Sequence, residues 1–144
     1  MAGLRGRVGG TLVLDAEGLV KVAADHPAAY AWVKAVRDRR GNVVTAASTL
    51  AEVLRGDPGD ARLHRMLGRI TVVPIDARQG RAAGELLGRT GLSGHRYALD
   101  ALLAVVALDQ PRPVVLLTSD PRDLARLTEE PGRPRAQRVG VVRV

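Results

Sequence analysis

The sequence has no cysteine and very few aromatic residues. Its 144 residues include three aromatic ones, which are Tyr30, Trp32 and Tyr97. The absence of cysteine excludes disulfides, thiolate metal sites and cysteine nucleophiles, and it suits a reducing cytoplasm. The scarcity of aromatic rings argues against a platform on which nucleobases stack. Any contact with nucleic acid is therefore expected to run mainly from arginine to phosphate.

The sequence also lacks a long apolar run. Residues 1–10 carry charge, and Asp15 and Glu17 interrupt the next apolar segment, so we expect no secretory signal. The most apolar stretch, 98–108, is too short to span a bilayer, and it contains Asp100. We therefore expect a cytoplasmic protein that has no membrane partner.

Lysine is scarce, whereas arginine is abundant. Lys21 and Lys34 are the only lysines among 22 basic residues, and the net charge is +7. Such a charge favours an anionic partner, and nucleic acid comes first. Because alanine and glycine are abundant as well, GC-rich coding explains part of this composition. We interpret the charge as support for a nucleic-acid partner and not as proof of one.

Length and residue patterns predict one α/β domain. We interpret residues 1–10 as a flexible basic lead-in and residues 11–144 as a single domain. Short apolar runs predict five strands, at 11–15, 42–46, 70–74, 113–118 and 138–143. Capping residues and helical periodicity predict seven helices, at 17–24, 27–40, 49–56, 58–67, 76–89, 95–108 and 120–128. Strands that alternate with helices imply a parallel sheet with helices on both faces.

Four acidic side chains fall where this topology brings strand ends together. Asp15 ends the first predicted strand, Asp120 follows the fourth, and Glu52 lies in the first turn of the helix after the second. Asp100 is the only charge in the apolar stretch 98–108. Such sheets bind ligands at the carboxyl ends of their strands, where the strand order switches. We therefore expect the four acids to line one rim of the sheet.

Carboxylates that crowd together need a counter-charge. A buried, unpaired carboxylate is costly, and several of them repel one another. A divalent cation reverses both penalties, because it supplies positive charge and accepts oxygen ligands. Oxygen ligands without cysteine or a histidine pair favour Mg²⁺ or Mn²⁺ over Zn²⁺. The sequence thus predicts a metal site at this rim.

Three of the acids also have a structural interpretation as helix caps. Asp120 is followed by proline and is well placed as an N-cap. Thr49 and Glu52 match a capping box, and Asp15 is placed to cap the first helix. Taken alone, Glu52 is better explained as part of a cap, whereas Asp120 fits a cap and a site about equally well.

Asp100 has an alternative of another kind, which is an ion pair with Arg96 one helical turn earlier. Capping and metal binding are compatible, since helix N-termini often flank ligand sites. Three caps and one ion pair, all arising separately, are a less economical account than one shared site.

Four segments, taken in order, resemble the PIN-domain family and in particular the VapC-type ribonuclease toxins. They read LVLD at 12–15, TAASTLAEVLRG at 45–56, ALDALLA at 98–104 and LTSDPRDL at 117–124. The resemblance extends from about residue 11 to the end, and its strength lies in the order and spacing of segments that are individually unspecific. It implies a three-layer α/β/α sandwich with a mostly parallel sheet of about five strands, and Mg²⁺-dependent cleavage of RNA.

Residue by residue, the resemblance implies four catalytic acids, which are Asp15, Glu52, Asp100 and Asp120. We expect Asp15, Asp100 and Asp120 to bind Mg²⁺ or Mn²⁺ directly. Glu52 is expected to bind the metal through water or to orient the nucleophile. One or two ions would polarise the scissile phosphate.

Four neighbouring residues are candidate accessory groups. The resemblance gives this role to the hydroxyl of Thr118 or Ser119. Asp123 is either a further acid or a first-turn aspartate. Glu17 stands where many family members have Ser or Thr, so it is interpreted as a fifth acid of the rim or as an exposed first-turn residue.

Arginines close to the acids in the sequence are candidate substrate-binding residues. Arg55, Arg96 and Arg122 are placed to hold the RNA backbone. For each of them taken alone, a solvated surface position is the preferred interpretation.

The resemblance also implies partners, and two other functions stay open. A toxin of this type is paired with a small antitoxin protein and tends to form a homodimer, for which the apolar helices at 28–36 and 61–67 are candidate surfaces if they are not simply core. One alternative is a PIN-like module that binds RNA or protein without cutting. A phosphatase of the haloacid-dehalogenase type is disfavoured, because that family needs a second Asp where Glu17 stands and a later lysine, and no lysine follows Lys34.

Overall fold

A parallel sheet of five strands forms the centre of the computed structural model, which describes residues 9–144. The strands are β1 (Thr11–Leu14), β2 (Asn42–Ala46), β3 (Thr71–Val73), β4 (Val114–Thr118) and β5 (Gly140–Arg143). Their order across the sheet is β3-β2-β1-β4-β5, and every neighbouring pair is parallel. Residues 1–8 of the predicted lead-in lie outside the described residues.

Seven α-helices connect the strands in the predicted order. They are α1 (Ala16–Ala23), α2 (Pro27–Asp38), α3 (Leu50–Val53), α4 (Ala61–Leu67), α5 (Ala77–Thr90), α6 (Gly94–Leu108) and α7 (Pro121–Leu127). Short 3₁₀ segments precede α3, α4 and β5, at Ala47–Thr49, Pro58–Asp60 and Arg135–Gln137. None of the helices among residues 9–144 has the length and apolarity needed to cross a membrane.

The helix predicted to end near Gly56 stops earlier, at Val53. Leu54 is already extended. The Asp60 carboxylate then accepts hydrogen bonds from the backbone N–H groups of Arg55 and Gly56, at 2.9 and 2.8 Å. Because these donors are satisfied by a side chain, the backbone has no need to continue the helix.

Each face of the sheet packs against its own group of helices. Leu12 and Leu14 of β1 point to one core with residues of α1, α2 and α4. Val13 points to the other core with residues of α5, α6 and α7. The apolar faces of α2 and α4 thus belong in part to the core, where Val33 and Met66 are buried. The predicted three-layer α/β/α sandwich is confirmed.

Strand β1 is the middle strand, and this position creates a crevice at its carboxyl end. All four of its residues are buried, as expected for a strand that is covered on both faces. The chain runs outward from β1 through β2 to β3, and then returns to place β4 on the other side of β1. The strand order therefore switches between β1 and β4, where ligands of such sheets bind.

Candidate functional site

Asp15 stands at the carboxyl end of β1, and its side chain is held from two sides. Its Oδ1 accepts a hydrogen bond of 2.7 Å from the backbone N–H of Gly18, so Asp15 caps α1. The Thr118 hydroxyl, at the end of β4, makes a second hydrogen bond to the same carboxylate. Burial raises the pKa of Asp15, the two hydrogen bonds oppose that rise, and the charge of Glu17 adds to it.

Gly18 allows α1 to lie close against β4. A Cβ atom at this position would stand 3.0 Å from the carbonyl oxygen of Leu117 and 3.3 Å from Oδ1 of Asp15. A larger residue would therefore push α1 away from the strand ends. The sequence prediction missed this residue, although its spacing of three from a capping aspartate was a usable signal.

Thr118 connects two of the predicted acids. Its side chain is buried, and its Oγ1 accepts a hydrogen bond of 3.0 Å from the backbone N–H of Asp120. The same hydroxyl bonds to Asp15. One buried hydroxyl thus fixes the end of β4 relative to the end of β1.

Asp100 reaches the same place from α6, on the other face of the sheet. The residue is half-buried. Burial raises its pKa first, and the charges of Asp15, Asp123 and Asp120 raise it further. Three carboxylates from other elements therefore lie near enough to oppose the ionisation of Asp100.

Glu52 approaches from α3 and completes the group. Burial of its carboxyl group raises its pKa, and the charges of Asp100 and Asp15 add to the rise, although the residue as a whole is exposed. Asp15, Glu52, Asp100, Asp120 and Asp123 are called the acid rim below. The four predicted catalytic acids therefore lie near enough to one another for their charges to interact.

No basic side chain described in the structure forms an ion pair with the acid rim. The guanidinium of Arg96 instead stacks over the ring of Tyr97, 5.2 Å from its centroid. The alternative prediction of an Asp100–Arg96 pair is therefore wrong. The carboxylates of the rim oppose one another without a neutralising cation from residues 9–144.

Most of the predicted caps are absent as well. Asp120 occupies the N-cap position of α7, but its side chain makes no capping hydrogen bond. Thr49 makes none at α3, so the predicted capping box with Glu52 does not form. Ser48, just before that helix, has a buried hydroxyl without a hydrogen-bond partner among the described residues. Only Asp15 has the capping role that the structural interpretation gave it.

The acid rim suits a hydrated divalent ion better than a closed cage of ligands. Within residues 9–144, no three His, Cys, Asp or Glu side chains stand close enough together to hold one ion. Mg²⁺ is commonly bound by one or two carboxylates and keeps several waters. Oxygen-only donors, raised pKa values and the lack of a basic partner all fit such an ion.

The predicted substrate arginines have other contacts in the structure. The guanidinium of Arg55 donates to the carbonyls of Ala51, Glu52 and Leu54, and so binds the carboxyl end of α3. Arg96 stacks on its neighbour, as described above, and Arg122 is exposed in the first turn of α7. The structure brings none of the three into contact with a rim carboxylate.

Arg143 is a basic residue at this edge of the sheet that the sequence prediction missed. It ends β5 in register with Thr118, and its guanidinium donates to the carbonyl of Ser119 at 3.1 Å. The usable signal was an arginine at the end of the final parallel strand. The side chain of Ser119 has no assigned role here, since its carbonyl makes the contact.

The family of the chain follows from a sequence comparison. The family model described as PIN domain matches residues 12–130. The chain therefore belongs to the PIN-domain family, as predicted, and proteins of this family are generally nucleases. A search of curated protein sequences gave no match.

Solved structures with the same fold include two protein–DNA complexes. One is VapBC2 from Rickettsia felis bound to a DNA fragment from its promoter, with a TM-score of 0.65, 18% identity, and coverage of 92% of this chain and 98% of that chain. The other is FitAB bound to an IR36 DNA fragment, with a TM-score of 0.58, 17% identity, and coverage of 92% and 94%. At these identities the likeness shows a shared fold.

Proposed function

We propose that this chain is a metal-dependent endoribonuclease and the toxin of a type II toxin–antitoxin pair. The observation that carries the proposal is the acid rim. Its carboxylates come from four parts of the chain, their charges raise the pKa values of Glu52 and Asp100, and they have no basic partner among residues 9–144. A fold does not maintain such repulsion without a use, because each paired or neutral alternative would be more stable.

The residues of the rim have separate roles in this proposal. Asp15, oriented by Thr118 and Gly18, would hold Mg²⁺ or Mn²⁺ directly. Because no three acids of residues 9–144 stand close enough to hold one ion, Asp100 and Asp120 would bind that ion through its waters or hold a second ion. Such an ion, when bound, supplies Lewis-acid polarisation of a scissile phosphate and lowers the pKa of water.

Glu52 is the best candidate to orient the attacking water and take its proton. Its pKa is raised, which makes its carboxylate a better proton acceptor than an ordinary glutamate. Asp123, and Glu17 beyond Asp15, add negative charge that strengthens cation binding. Arg143 is positioned by the Ser119 carbonyl at the same edge of the sheet, where it would contact an RNA phosphate.

The test is cleavage of structured RNA by the purified protein, with Mg²⁺, with Mn²⁺ and with EDTA. We expect cleavage with either metal and none with EDTA. Asp15→Asn should lose activity, because it removes a ligand charge while the amide oxygen can still cap α1. Asp38→Asn is the matched control, since Asp38 is an exposed aspartate in a surface pair with Lys34.

Single-stranded DNA of the same sequence tests the choice of substrate. Preferential cutting of DNA would contradict the ribonuclease assignment while it supported a nuclease. Folded protein that leaves RNA and DNA intact under every metal condition would rule out both.

The antitoxin partner is proposed on separate grounds. The VapBC2 and FitAB structures are two-component complexes on DNA, and the present chain shares their fold. We expect a small DNA-binding protein encoded beside this chain to bind it and suppress its nuclease activity. Co-purification from cells that express both genes, followed by the RNA assay, would show this, and unchanged activity in the complex would contradict it. A homodimer stays a prediction that light scattering would check.

One observation favours a second function, a PIN-like module that binds RNA or protein without cutting. The rim carboxylates do not stand close enough for three of them to hold one ion. This module predicts RNA binding that is independent of metal and unaffected by Asp15→Asn. The family match does not favour this module over the nuclease, and it offers no support for the phosphatase alternative.

A further inference from the structure

A basic cleft of about 240 Å³ lies between the C-terminal end of α1 and α4. Three arginines line it: Arg62 and Arg65 on α4, and Arg69 just beyond its end. Asp25 is the one acid of the lining, and Val22 contributes apolar surface. The lining therefore has three positive charges against one negative charge.

The guanidinium groups of this cleft are available for a ligand. Among residues 9–144, the guanidinium groups of Arg62, Arg65 and Arg69 make no hydrogen bond and no ion pair that would compete with a ligand. The backbone carbonyl of Arg69 instead accepts a hydrogen bond of 3.2 Å from the guanidinium of Arg37, which brings a fourth arginine to this end of the molecule.

Stabilisation of α4 does not explain the cluster. Basic residues are favourable near a helix C-terminus, and this accounts for Arg65 and Arg69. Arg62, however, lies in the first turn of α4, where the helix dipole opposes a positive charge. Helix stabilisation therefore does not account for Arg62.

Helix α1 joins the cleft to the acid rim. Asp15 caps its N-terminus, and Val22 and Ala23 at its other end line the cleft. Eight residues of helix span about 12 Å. Both α3, which carries Glu52, and α4, which carries Arg62 and Arg65, pack against α1. The acid rim and the cleft therefore lie along the same helix.

We propose that this cleft binds phosphates of the same RNA strand that the acid rim cleaves. A stacked strand advances about 3.4 Å per nucleotide, so the cleft would hold a phosphate about four nucleotides from the scissile bond. Guanidinium groups bind phosphate oxygens bidentately. The inference rests on the proposed function for the identity of the strand, whereas the binding test below does not depend on cleavage.

The test measures RNA affinity in EDTA, where the proposed nuclease does not cut. Labelled single-stranded RNAs of about 3 and about 12 nucleotides are titrated against the wild-type protein and against Arg62→Gln/Arg65→Gln/Arg69→Gln. We expect the triple variant to lose about tenfold or more of the affinity for the longer RNA. Its salt dependence should become shallower by up to about 2 units of slope, since each phosphate contact on a single strand contributes about 0.7.

A matched control uses two arginines of α5, which packs on the opposite face of the sheet, and one arginine of the 3₁₀ segment before β5. Arg81→Gln/Arg89→Gln/Arg135→Gln removes the same charge from three exposed arginines outside the cleft. This control should bind the longer RNA within about twofold of wild type. An equal loss in both triple variants would mean that net charge alone holds the RNA, and it would overturn the proposal.

Asp25→Asn is a second variant that is expected to fold normally. Asp25 has a positive φ of 58°, a conformation that asparagine tolerates as well as aspartate. Removing the one negative charge of the cleft should tighten binding of the longer RNA by about two- to fivefold at low salt. A purely structural role of the arginines would not give this gain.

Three outcomes would overturn the proposal. The triple variant could melt earlier and yet keep its affinity for RNA, which would leave the arginines with a structural role only. An oligoglutamate peptide could bind the cleft more tightly than the RNA does, which would assign it to an acidic protein segment. Inorganic phosphate could displace no RNA from the wild-type protein. Failure of the nuclease assay together with arginine-dependent binding would overturn the proposed function and leave this cleft intact as an RNA site.

Discussion

The carboxyl group of Glu130 and those of the acid rim have opposite electrostatic surroundings. Glu130 pairs with both guanidinium nitrogens of Arg112, at 2.7 and 3.1 Å, and with Arg133 at 2.9 Å. Burial alone would raise the pKa of Glu130, but the hydrogen bonds and charge of Arg112, aided by Arg133, lower it. In the acid rim, Asp15 and Asp100 are partly buried like Glu130, yet the pKa values of Asp15, Glu52 and Asp100 are raised.

The difference shows that the rim is not a by-product of composition. The chain contains 20 arginines, and at Glu130 two of them neutralise a single glutamate. At the rim, five acids have no such partner among residues 9–144. In a chain so rich in arginine, the separation of these acids from positive charge distinguishes the rim from a structural ion pair such as that of Glu130.

The largest expected effect comes from neutralising the middle of the rim. Asp100→Asn should lower RNA cleavage more than about 100-fold, which exceeds the usual loss from an outer-shell partner of a metal. The same change should raise the metal-free stability by about 0.5 kcal/mol, because it removes a repelled charge whose interactions solvent partly screens at this half-exposed side chain. Cleavage kinetics and urea unfolding in EDTA measure the two effects. A variant that is both active and less stable would show that Asp100 is an ordinary structural residue.

The next effect concerns the hydroxyl that connects Asp15 and Asp120. Thr118→Val keeps the shape of the side chain but removes both hydrogen bonds, and we expect cleavage to fall about 10- to 100-fold. Thr118→Ser retains the hydroxyl and should recover most of the rate. Equal rates for the valine and serine variants would mean that the hydroxyl does not orient the acids.

The paired acid should respond in the opposite way. Glu130→Gln leaves Arg112, whose side chain is 17% exposed, without its charged partner, and it should destabilise the fold by about 2 kcal/mol without changing the cleavage rate. Asp38→Asn, at the exposed pair with Lys34, should cost less than about 0.5 kcal/mol. Thermal unfolding of the two variants gives the comparison. If Glu130→Gln were as stable as wild type, burial would not make the Arg112–Glu130 pair contribute more to stability than the exposed Lys34–Asp38 pair.

The smallest effect is the pH dependence of stability in EDTA. The raised pKa values of Asp15, Glu52 and Asp100 mean that the folded state binds more protons than the unfolded state above their usual values of 3.8 and 4.5. The contribution of these groups is therefore full below those values and is lost as the pH rises through the raised ones. As the pH falls from neutral to just above those values, we expect the free energy of unfolding to rise by about 1 kcal/mol.

Two measurements isolate the rim in this titration. Millimolar Mg²⁺ should stabilise the protein and flatten the slope, since the ion replaces the protons. Glu130, with its lowered pKa, contributes a reverse dependence only below its usual value of 4.5, so Glu130→Gln should leave the slope above that value unchanged. A profile that is the same with and without Mg²⁺ would argue against an ion at the rim.

The order of elements was predictable from the sequence, because it depends on patterns that local residues determine. The buried strand β1 is a short apolar run, and Asp15 follows it directly. The juxtaposition of the segments that carry Asp15 and Asp120 was predictable as well, since a parallel sheet brings the ends of β1 and β4 together. These inferences needed only topology.

Individual side-chain contacts were not predictable, because spacing along the chain does not decide between competing local partners or fix the pairing of remote segments. Arg96 precedes Asp100 by one turn, yet it stacks on Tyr97. Asp60 ends α3 by accepting backbone donors from the residues that follow it. The register of β5, which brings Arg143 beside Thr118, depends on a pairing between residues far apart in the sequence.

The central position of β1 has a consequence for the order in which the protein becomes active. Asp15 is made early during translation, but the hydroxyl and backbone that orient it belong to residues 118–120. Asp123 also belongs to the rim, so a nascent chain on the ribosome has no complete rim until residue 123 has emerged. A chain that is still being synthesised therefore lacks part of the acid rim, although its first acid was made near the start.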